Sequence, residues 1–336
     1  MSFEIMVASI ITILAFALVF VLSSESPVSS WNERQHSVVV HAPEVCEAGR
    51  DIVVGSRFWA KSAGDLQKLN SFIRNTERAV GDRLCALILA VNVLEDTQDT
   101  LKQLRDMGRA FPRLEAFGVS PWSITTPLNS ILRRAQRKGA EFTLFLSVEV
   151  LIAEEHLNIM LDETKSSTLV TGMALGGHKD MATLPPIGRK PRCGEVRRSR
   201  IEGDLLPWNT LALWRTEMIS KIGFLADADL QDPPGMEEAV PIAMLQGKLG
   251  KEGAQTKLIH LSAEYKPFWD VAFDTPERRA KQARKMASKK RRTEAQLKAA
   301  GGIQAEILHI YHCMYNNDGS SSLVSRRSRS TSGGVR

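Results

Sequence analysis

The stretch RLCALILAVNV, residues 83–93, is a nearly continuous apolar run with the length of one strand. A strand with one face in water alternates apolar and polar residues, so this run predicts a strand that is buried on both faces. Residues 142–150, FTLFLSVEV, form a second run of this kind. The two runs predict a sheet that is covered on both sides.

The segments around these two runs alternate between strand and helix patterns. Short β-branched or apolar runs predict further strands at 37–41, 51–54, 114–119, 168–175 and 257–261. Apolar residues at helical spacing predict helices at 64–80, 95–107, 127–138 and 154–163. Residues 176–206, rich in Gly, Pro and Arg, predict a long loop. This order is typical of an α/β fold with a mainly parallel sheet and helices on both faces.

The composition is that of a folded protein. The chain has 336 residues, of which 43% are apolar and 24% charged, which excludes a mainly disordered, collagen-like or polytopic membrane chain. Its four cysteines are widely spaced without a C-x-x-C motif, which excludes a disulfide scaffold and leaves one or two structural bridges open. Motifs of P-loop, dinucleotide-binding, zinc-protease and α/β-hydrolase sites are absent from the sequence.

The N-terminal residues 5–22 carry no charge, and twelve of these eighteen are Ile, Leu, Val or Phe. A helix of that length spans roughly 27 Å, close to the hydrocarbon thickness of a bilayer. The run predicts a transmembrane signal-anchor at 1–23 and a polar stem at 24–36, and a cleaved signal peptide is the alternative. With the anchor, we expect a single-pass membrane protein on the lumenal side of the ER or Golgi.

The net charge of +6 comes from the C-terminal end, where residues 276–336 carry fourteen Lys and Arg against four acidic residues. The basic charge therefore belongs to a tail, and a nucleic-acid partner is not expected. Residues 276–302 predict a basic helix that is either solvated or bound to an anionic surface, and residues 303–336 predict a partly disordered tail. A second basic cluster at 189–200 predicts either a solvated loop or a diphosphate clamp.

The segment ADADLQDPPGMEE, residues 226–238, concentrates carboxylates. Asp227 and Asp229 could together bind a divalent cation that also contacts substrate phosphates, because Mg²⁺ favours one or two carboxylates plus phosphates. Such a metal would neutralise the charge of a departing nucleoside diphosphate. An acidic surface turn is the alternative, because Asp and Pro are common turn residues.

DADLQDPP, residues 227–234, resembles the metal-binding signature of the family 2 glycosyltransferases that make polyprenyl-phosphate hexoses. In that family, however, the signature follows a buried strand. By the order of elements, the equivalent strand in this chain is 142–146, and Glu149 is the acidic residue that follows it. The segment 87–96, LILAVNVLED, resembles the opening strand of a GT-A nucleotide-diphospho-sugar transferase domain. PWNTLALWR at 207–215 and GMEEAVPIAMLQ at 235–246 resemble its acceptor-side segment.

The resemblance implies a GT-A (Rossmann-like) domain at 37–275, with Mn²⁺ or Mg²⁺ held by Asp227 and Asp229 or by Glu149. It implies Glu238, or its neighbour Glu237, as the general base for an acceptor hydroxyl. The nucleotide-sugar-binding residues that it implies are Asn92, Glu95, Asn129, Trp208, Asn209 and Trp214. Core packing is the alternative for the two tryptophans.

Together these features predict a membrane-anchored glycosyltransferase that moves a hexose from a nucleotide sugar to a hydroxyl group of a glycan, lipid or protein. Two alternatives stay open. The chain could be a catalytically inactive GT-A-like binding protein, or a membrane-tethered interaction protein that acts through its basic C-terminal arm.

Overall fold

The computed structural model describes residues 43–59, 63–92, 98–179, 184–185, 188–269 and 275–313. The predicted anchor at 1–23, the stem at 24–36, the strand at 37–41, Glu95 and the end of the tail beyond residue 313 lie outside the described residues. Within the described part, no helix combines the length and apolar character needed to cross a bilayer. The prediction of a single-pass membrane protein on the lumenal side of the ER or Golgi is therefore wrong by this test.

Strands and helices alternate along most of the chain. The strands are β1 (Ile52–Phe58), β2 (Leu84–Asn92), β3 (Leu114–Val119), β4 (Phe142–Leu146), β5 (Val150–Leu151), β6 (Thr168–Met173), β7 (Val196–Arg200), β8 (Leu211–Arg215), β9 (Gln255–Leu261), β10 (Phe268–Trp269) and β11 (Glu306–His312). The helices are α1 (Ala63–Val80), α2 (Gln98–Ala110), α3 (Thr125–Arg137), α4 (Glu154–Glu163), α5 (Thr216–Ile219), α6 (Ala239–Leu249) and α7 (Pro276–Ala299).

Nine of these strands form one sheet in the order β3-β2-β1-β4-β8-β6-β9-β11-β7. The strands β8 and β7 run antiparallel to their neighbours, and all other pairings in this sheet are parallel. The predicted α/β class with a mixed, mainly parallel sheet is confirmed, and this architecture fits a GT-A domain. The transmembrane helix that was predicted to precede it has no support.

Both faces of the sheet are buried, as the apolar runs predicted. Neighbouring residues of β1 point to opposite faces, so that Val53 belongs to one buried cluster and Val54 to the other. Helices α3 and α6 cover the first face, and α1 and α4 cover the second. The strand β2 is buried along its whole length, because it lies between two helical layers.

The C-terminal region differs from the expected boundary at residue 275. Residues 303–336 were expected to form a partly disordered tail, yet Glu306–His312 form the strand β11 inside the sheet between β9 and β7. The strand β7 lies in the segment that was expected to be a loop, and it pairs with β11 along Val196–Arg200. Both strands were missed because they depend on distant pairing: β7 and β11 are more than 100 residues apart in the sequence, and β9, the other partner of β11, is about 50 residues away.

Two disulfide bonds tie outlying segments to the sheet. Cys46 pairs with Cys85 of β2, and Cys193 pairs with Cys313 at the end of β11. These bonds close loops with sequence separations of 39 and 120 residues. A disulfide that closes a long loop restricts the unfolded chain and typically contributes about 2–4 kcal/mol.

The strand order reverses beside β1. The chain passes from β1 to β2 and β3 on one side and then places β4 on the other side of β1. In open α/β sheets, ligands bind outside the carboxyl ends of the strands at such a switch point. The residues that follow β1 and β4 are therefore the first place to look for a site.

Candidate functional site

A cleft of about 130 Å³, open to solvent, lies at this switch point. Its lining comes from the end of β1, the end of β4, the start of α3 and the segment before β8: Gly55, Ser56, Arg57, Leu128, Phe145, Leu146, Ser147, Asn209 and Thr210. Asn209 was predicted as a nucleotide-sugar-binding residue, and the structure places it in this wall.

Two polar groups in the cleft wall have no hydrogen-bond partner within the described part of the chain. They are the hydroxyl of Ser56 and the side-chain amide nitrogen of Asn209, both buried. The other end of the Asn209 amide is occupied, because its Oδ1 accepts a 2.9 Å hydrogen bond from the indole N–H of Trp214. Leaving a buried donor unpaired costs free energy. A polar ligand that forms hydrogen bonds with these two groups would remove this cost.

Glu237 and Glu238 lie beside the same cleft, just before α6. The Oε1 atom of Glu238 accepts a 2.6 Å hydrogen bond from the backbone N–H of Asn209. The Oε1 atom of Glu237 lies 3.6 Å from Nη2 of Arg57, which lines the cleft. Both carboxyl groups are buried. The predicted general base and its neighbour are thus brought to the switch point.

Burial, and after it the charge of Glu237, raise the pKa of Glu238 to about 8, although the hydrogen bond from the Asn209 N–H and the charge of Lys289 act in the opposite direction. A carboxyl group whose pKa lies near neutral pH is suited to general-base catalysis, since it can both take up and release a proton. The environment of Glu238 is therefore compatible with the predicted role.

The backbone before this pair is unusual. Met236 has a φ of 69°, a left-handed conformation that is uncommon for a residue with a long side chain. The chain turns here, and the two consecutive glutamates that follow are both buried. Strained backbone of this kind is often found at functional sites.

The other predicted nucleotide-sugar-binding residues have structural partners or lie away from the cleft wall. Asn129 pairs with the backbone of Phe224 through two 2.8 Å hydrogen bonds, donating to its carbonyl and accepting from its N–H. Asn92 is buried at the end of β2, which is the second strand of the sheet and not the opening one as expected. The opening strand is β1, which contributes Ser56 and Arg57.

The two tryptophans are core residues, which agrees with the alternative interpretation. Trp214 is fully buried and packs edge-to-face on Phe224 with ring centroids 5.4 Å apart. Trp208 is 3% exposed, donates its indole N–H to the carbonyl of Gly203, and stacks on His178 with ring centroids 3.5 Å apart. Neither residue lines the cleft.

The residues predicted to bind a metal do not come together in one site. Asp229 accepts hydrogen bonds from the N–H groups of Ile124 and Thr125, at 2.6 and 3.2 Å, and from the Thr125 hydroxyl. Burial raises the pKa of Asp227, and the charge of Asp229 adds to this. Glu149 is exposed in the turn after β4.

These three residues do not fit a shared divalent cation, because Asp229 already serves three donors at the start of α3. Across the ranges that the structure describes, no three His, Cys, Asp or Glu side chains come together to hold a metal ion. Ser147 occupies the cleft position at the end of β4, and a serine is a poorer ligand for a hard cation than a carboxylate. The predicted metal ligands therefore do not form a metal site among the described residues.

Asp229 acts as a helix cap supplied from a distant part of the chain. The first N–H groups of a helix lack partners within the helix, and a carboxylate there also interacts favourably with the helix dipole. We expect Asp229→Ala to lower the free energy of unfolding by about 1–2 kcal/mol, measured by urea denaturation, and to leave nucleotide binding unchanged. Asp227→Ala, two residues away, is the control, and an equal effect of both variants would contradict the capping role.

The basic cluster at 189–200 is not brought to the cleft. Its members lie on or before β7, at the far edge of the sheet. Arg189 and Arg197 both pair with Glu195, and Arg198 pairs with Glu306 of β11. These contacts join β7 to its neighbours. The predicted diphosphate clamp is therefore remote from the cleft, which is lined by residues of β1 and β4.

Sequence reasoning missed Ser56, Arg57, Ser147 and Thr210. The predicted strand at 51–54 stopped short of the polar end of β1, and nothing local marked it as the central strand. Polar residues directly after a buried apolar run were the available signal, because the carboxyl ends of parallel strands share one edge of the sheet.

No protein-family model matches the chain, and neither does any curated protein sequence. Among solved structures, the chain is similar to the mannosyltransferase PcManGT from Pyrobaculum calidifontis in complex with GDP-Man and Mn²⁺, with 14% identity and a TM-score of 0.37 over 58% of this chain and 52% of that chain. It is also similar to S. aureus TarS 1–349 in complex with UDP, with 15% identity and a TM-score of 0.37 over 57% of this chain and 54% of that one.

A third similar structure is glucosyl-3-phosphoglycerate synthase from Mycobacterium tuberculosis with Mn²⁺, UDP-glucose and phosphoglyceric acid, with 14% identity and a TM-score of 0.37 over 63% of this chain and 70% of that chain. The chain spans about half the length of the first two structures. At identities of 14–15% and TM-scores of 0.37, these similarities say nothing about the activity of this chain.

Proposed function

We propose that this protein is a glycosyltransferase that binds a nucleotide sugar in the switch-point cleft and transfers its hexose to a hydroxyl acceptor. The observation that carries the proposal is the position of Glu238, whose carboxylate contacts the backbone of the cleft residue Asn209. A buried base next to a polar cleft at the carboxyl ends of parallel strands is what hydroxyl activation at this place requires.

The polar groups of the wall suit a sugar or a nucleotide. The free hydroxyl of Ser56 and the free amide N–H of Asn209 can bind hydroxyl or phosphate oxygens. Arg57 adds a guanidinium group to the lining, and guanidinium groups bind phosphate oxygens well. A ligand that satisfies these groups would recover the free energy lost by leaving them unpaired.

In the proposed reaction, the Glu238 carboxylate takes the proton of the acceptor hydroxyl. The acceptor oxygen forms a bond to the anomeric carbon of the hexose, and the bond from that carbon to the diphosphate oxygen breaks. The nucleoside diphosphate leaves with the bonding electron pair, and the proton remains on Glu238. Arg57 is held by the carbonyl of Ile124 and by Glu237, so its charge stays in place at the cleft.

Nucleotide binding tests the proposed site. We expect Ser147→Trp to weaken the binding of UDP or GDP by about tenfold or more, because an indole would fill the cleft. Isothermal titration calorimetry of the full-length chain, with each nucleotide in turn, measures the effect.

Ser166→Trp is the matched control for this test. Ser166 is exposed in the turn before β6. This turn lies at the amino-terminal ends of the parallel strands, whereas the cleft lies at their carboxyl ends, so the substitution should leave nucleotide binding unchanged. A wild-type chain that binds neither nucleotide would refute the proposed function. A wild-type chain that binds UDP or GDP but releases no sugar would instead favour the inactive binding protein.

A further inference from the structure

The helix α7 lies outside the region of sequence resemblance, and the sequence predicted it to be solvated or bound to an anionic surface. The structure buries one side of it. Arg292, Thr293 and Gln296 are all at most 3% exposed. Polar and charged residues are seldom buried to this extent unless they have partners. The partners of Arg292 and Gln296 therefore decide what this inner face of α7 does.

These partners are three consecutive backbone carbonyls. The Nη1 atom of Arg292 donates to the carbonyls of Pro233 and Pro234, at 2.9 and 3.1 Å. The Nε2 atom of Gln296 donates to the carbonyl of Gly235 at 3.0 Å. Both donors come from one face of the helix, because residues four positions apart are neighbours on a helix surface. One face of α7 thus holds the backbone of residues 233–235.

Gly235 is fixed from three sides. Its N–H donates to the carbonyl of Ala228 at 3.0 Å, and its own carbonyl accepts from Gln296. A Cβ atom at this position would lie 2.8 Å from Nη1 of Arg292, and the φ of Gly235 is 137°. A residue with a side chain would therefore displace Arg292, and the close contact to α7 depends on a glycine here.

The turn that follows Gly235 needs such a constraint. Met236 has a φ of 69°, and a backbone conformation of this kind persists only where the surrounding structure over-determines it. On one side of the turn, α7 holds residues 233–235, and on the other side α6 begins at Ala239. The carboxylate of Glu238 lies between these two fixed points. Its direction therefore depends on the backbone that α7 holds.

The helix α7 also touches the chain segment that donates to Glu238. A Cβ atom on Gly203 would lie 2.5 Å from the carbonyl oxygen of Lys289. The Nζ atom of Lys289 lies 2.9 Å from the centroid of the Trp208 ring, a cation–π contact. Trp208 directly precedes Asn209, whose N–H donates to Glu238. The helix thus contacts both segments that this hydrogen bond joins.

We propose that Arg292 and Gln296 are positioning residues of the candidate site, which hold the carbonyls of residues 233–235 and so fix the turn that brings the carboxylate of Glu238 to the cleft wall. For its catalytic meaning this inference rests on the proposed function, in which Glu238 is the base. Neither side chain touches the reacting atoms. Both act through the backbone that carries Glu238.

Amide hydrogen exchange of the Asn209 N–H tests the proposal, because this group donates to Glu238. We expect Gln296→Met to speed its exchange about tenfold or more, since loss of the bond to Gly235 lets the turn open locally. The measurement is NMR of the full-length chain with ¹⁵N-labelled asparagine and leucine. The Leu87 N–H, which donates to the carbonyl of Arg113 in the sheet, is the reference and should keep its exchange rate.

The effect on global stability should be small in this variant. The Oε1 atom of Gln296 is buried without a hydrogen-bond partner in the described part of the chain, and methionine removes that unpaired atom. Lys298→Met is the matched control, because Lys298 is exposed on the same helix and should leave both amides unchanged.

Two variants of Arg292 separate the loss of the hydrogen bonds from a folding defect. Arg292→Met should speed the exchange of the Asn209 amide as Gln296→Met does. Arg292→Lys keeps a charged donor near the carbonyls of residues 233–234 and should retain most of the protection. The exposed neighbour supplies the control Arg291→Met, which should behave like the wild type.

Unchanged exchange of the Asn209 amide in both Gln296→Met and Arg292→Met would overturn the proposal. An equal increase at Leu87 would also overturn it, because α7 would then contribute to global stability alone. Turnover adds a second readout: both variants should lower kcat for release of the nucleoside diphosphate about tenfold and leave the KM of the donor unchanged. Faster exchange of the Asn209 amide in a chain that binds neither UDP nor GDP would support the positioning role and refute the proposed function.

Discussion

Glu238→Gln is expected to lower the turnover number for nucleotide-sugar cleavage by about 10²–10⁴-fold, the range that general-base catalysis supplies. The substitution keeps the shape of the side chain and its acceptor oxygen for the Asn209 N–H, so the cleft should keep its geometry. The measurement is release of the nucleoside diphosphate from the nucleotide sugar whose nucleotide binds best. Binding of that nucleotide should change by less than about threefold, because the base contacts the acceptor and not the donor.

The pH dependence adds a second readout to the same experiment. Since burial and the charge of Glu237 raise the pKa of Glu238 to about 8, its carboxylate fraction increases as the pH rises through that value. The wild-type rate should therefore rise with pH through about pH 8 and level off above it, and this limb should be absent in Glu238→Gln.

Glu217→Gln is the matched control, because Glu217 is an exposed glutamate of α5. It should behave like the wild type in rate, nucleotide binding and pH profile. Full activity of Glu238→Gln, or a wild-type rate that falls between pH 6 and pH 8, would contradict the role of Glu238 as the base.

Trp214→Ala is expected to lower the free energy of unfolding by about 3–5 kcal/mol, the usual cost of truncating a large buried aromatic side chain. Trp214 is fully buried, packs on Phe224, and donates its indole N–H to Asn209. The variant would leave a cavity and remove the donor that orients the Asn209 amide. Guanidinium chloride unfolding, followed by circular dichroism, measures the change.

Trp59→Ala provides the comparison for this experiment, because Trp59 is 44% exposed. We expect it to change the free energy of unfolding by less than about 1 kcal/mol, as is usual for surface positions. If Trp214 were a sugar platform instead of a core residue, Trp214→Ala would leave stability unchanged and weaken donor binding alone.

Much of the secondary structure could be predicted from the sequence because it depends on local burial patterns. The strand β3 and the helix α4 were predicted with their observed bounds, and β2, α1 and α3 were predicted to within a few residues. These elements have apolar residues at the spacing that one buried face or two buried faces require. The interpretation of residues 235–246 as an acceptor-side segment also singled out Glu237 and Glu238, which the structure places next to the cleft residues Arg57 and Asn209.

The role of Asp229 could not be predicted in the same way. The string DADLQDPP resembles a metal-binding signature, yet its second aspartate caps α3, whose first residues lie more than 100 positions earlier in the chain. A carboxylate group can coordinate a cation, and it can also accept hydrogen bonds from N–H donors. Only the fold decides which of the two is within reach.

The sequence by itself determined that this chain forms a covered α/β sheet and that it carries a pair of adjacent glutamates before α6. The tertiary structure decided that β1 and β4 frame the cleft, that both cysteine pairs are bridged, and that the Glu238 carboxylate meets the backbone N–H of the cleft residue Asn209. The physical reason is the range of the forces involved. Periodic burial acts between residues a few positions apart, whereas the protonation and orientation of Glu238 depend on groups that only folding brings together.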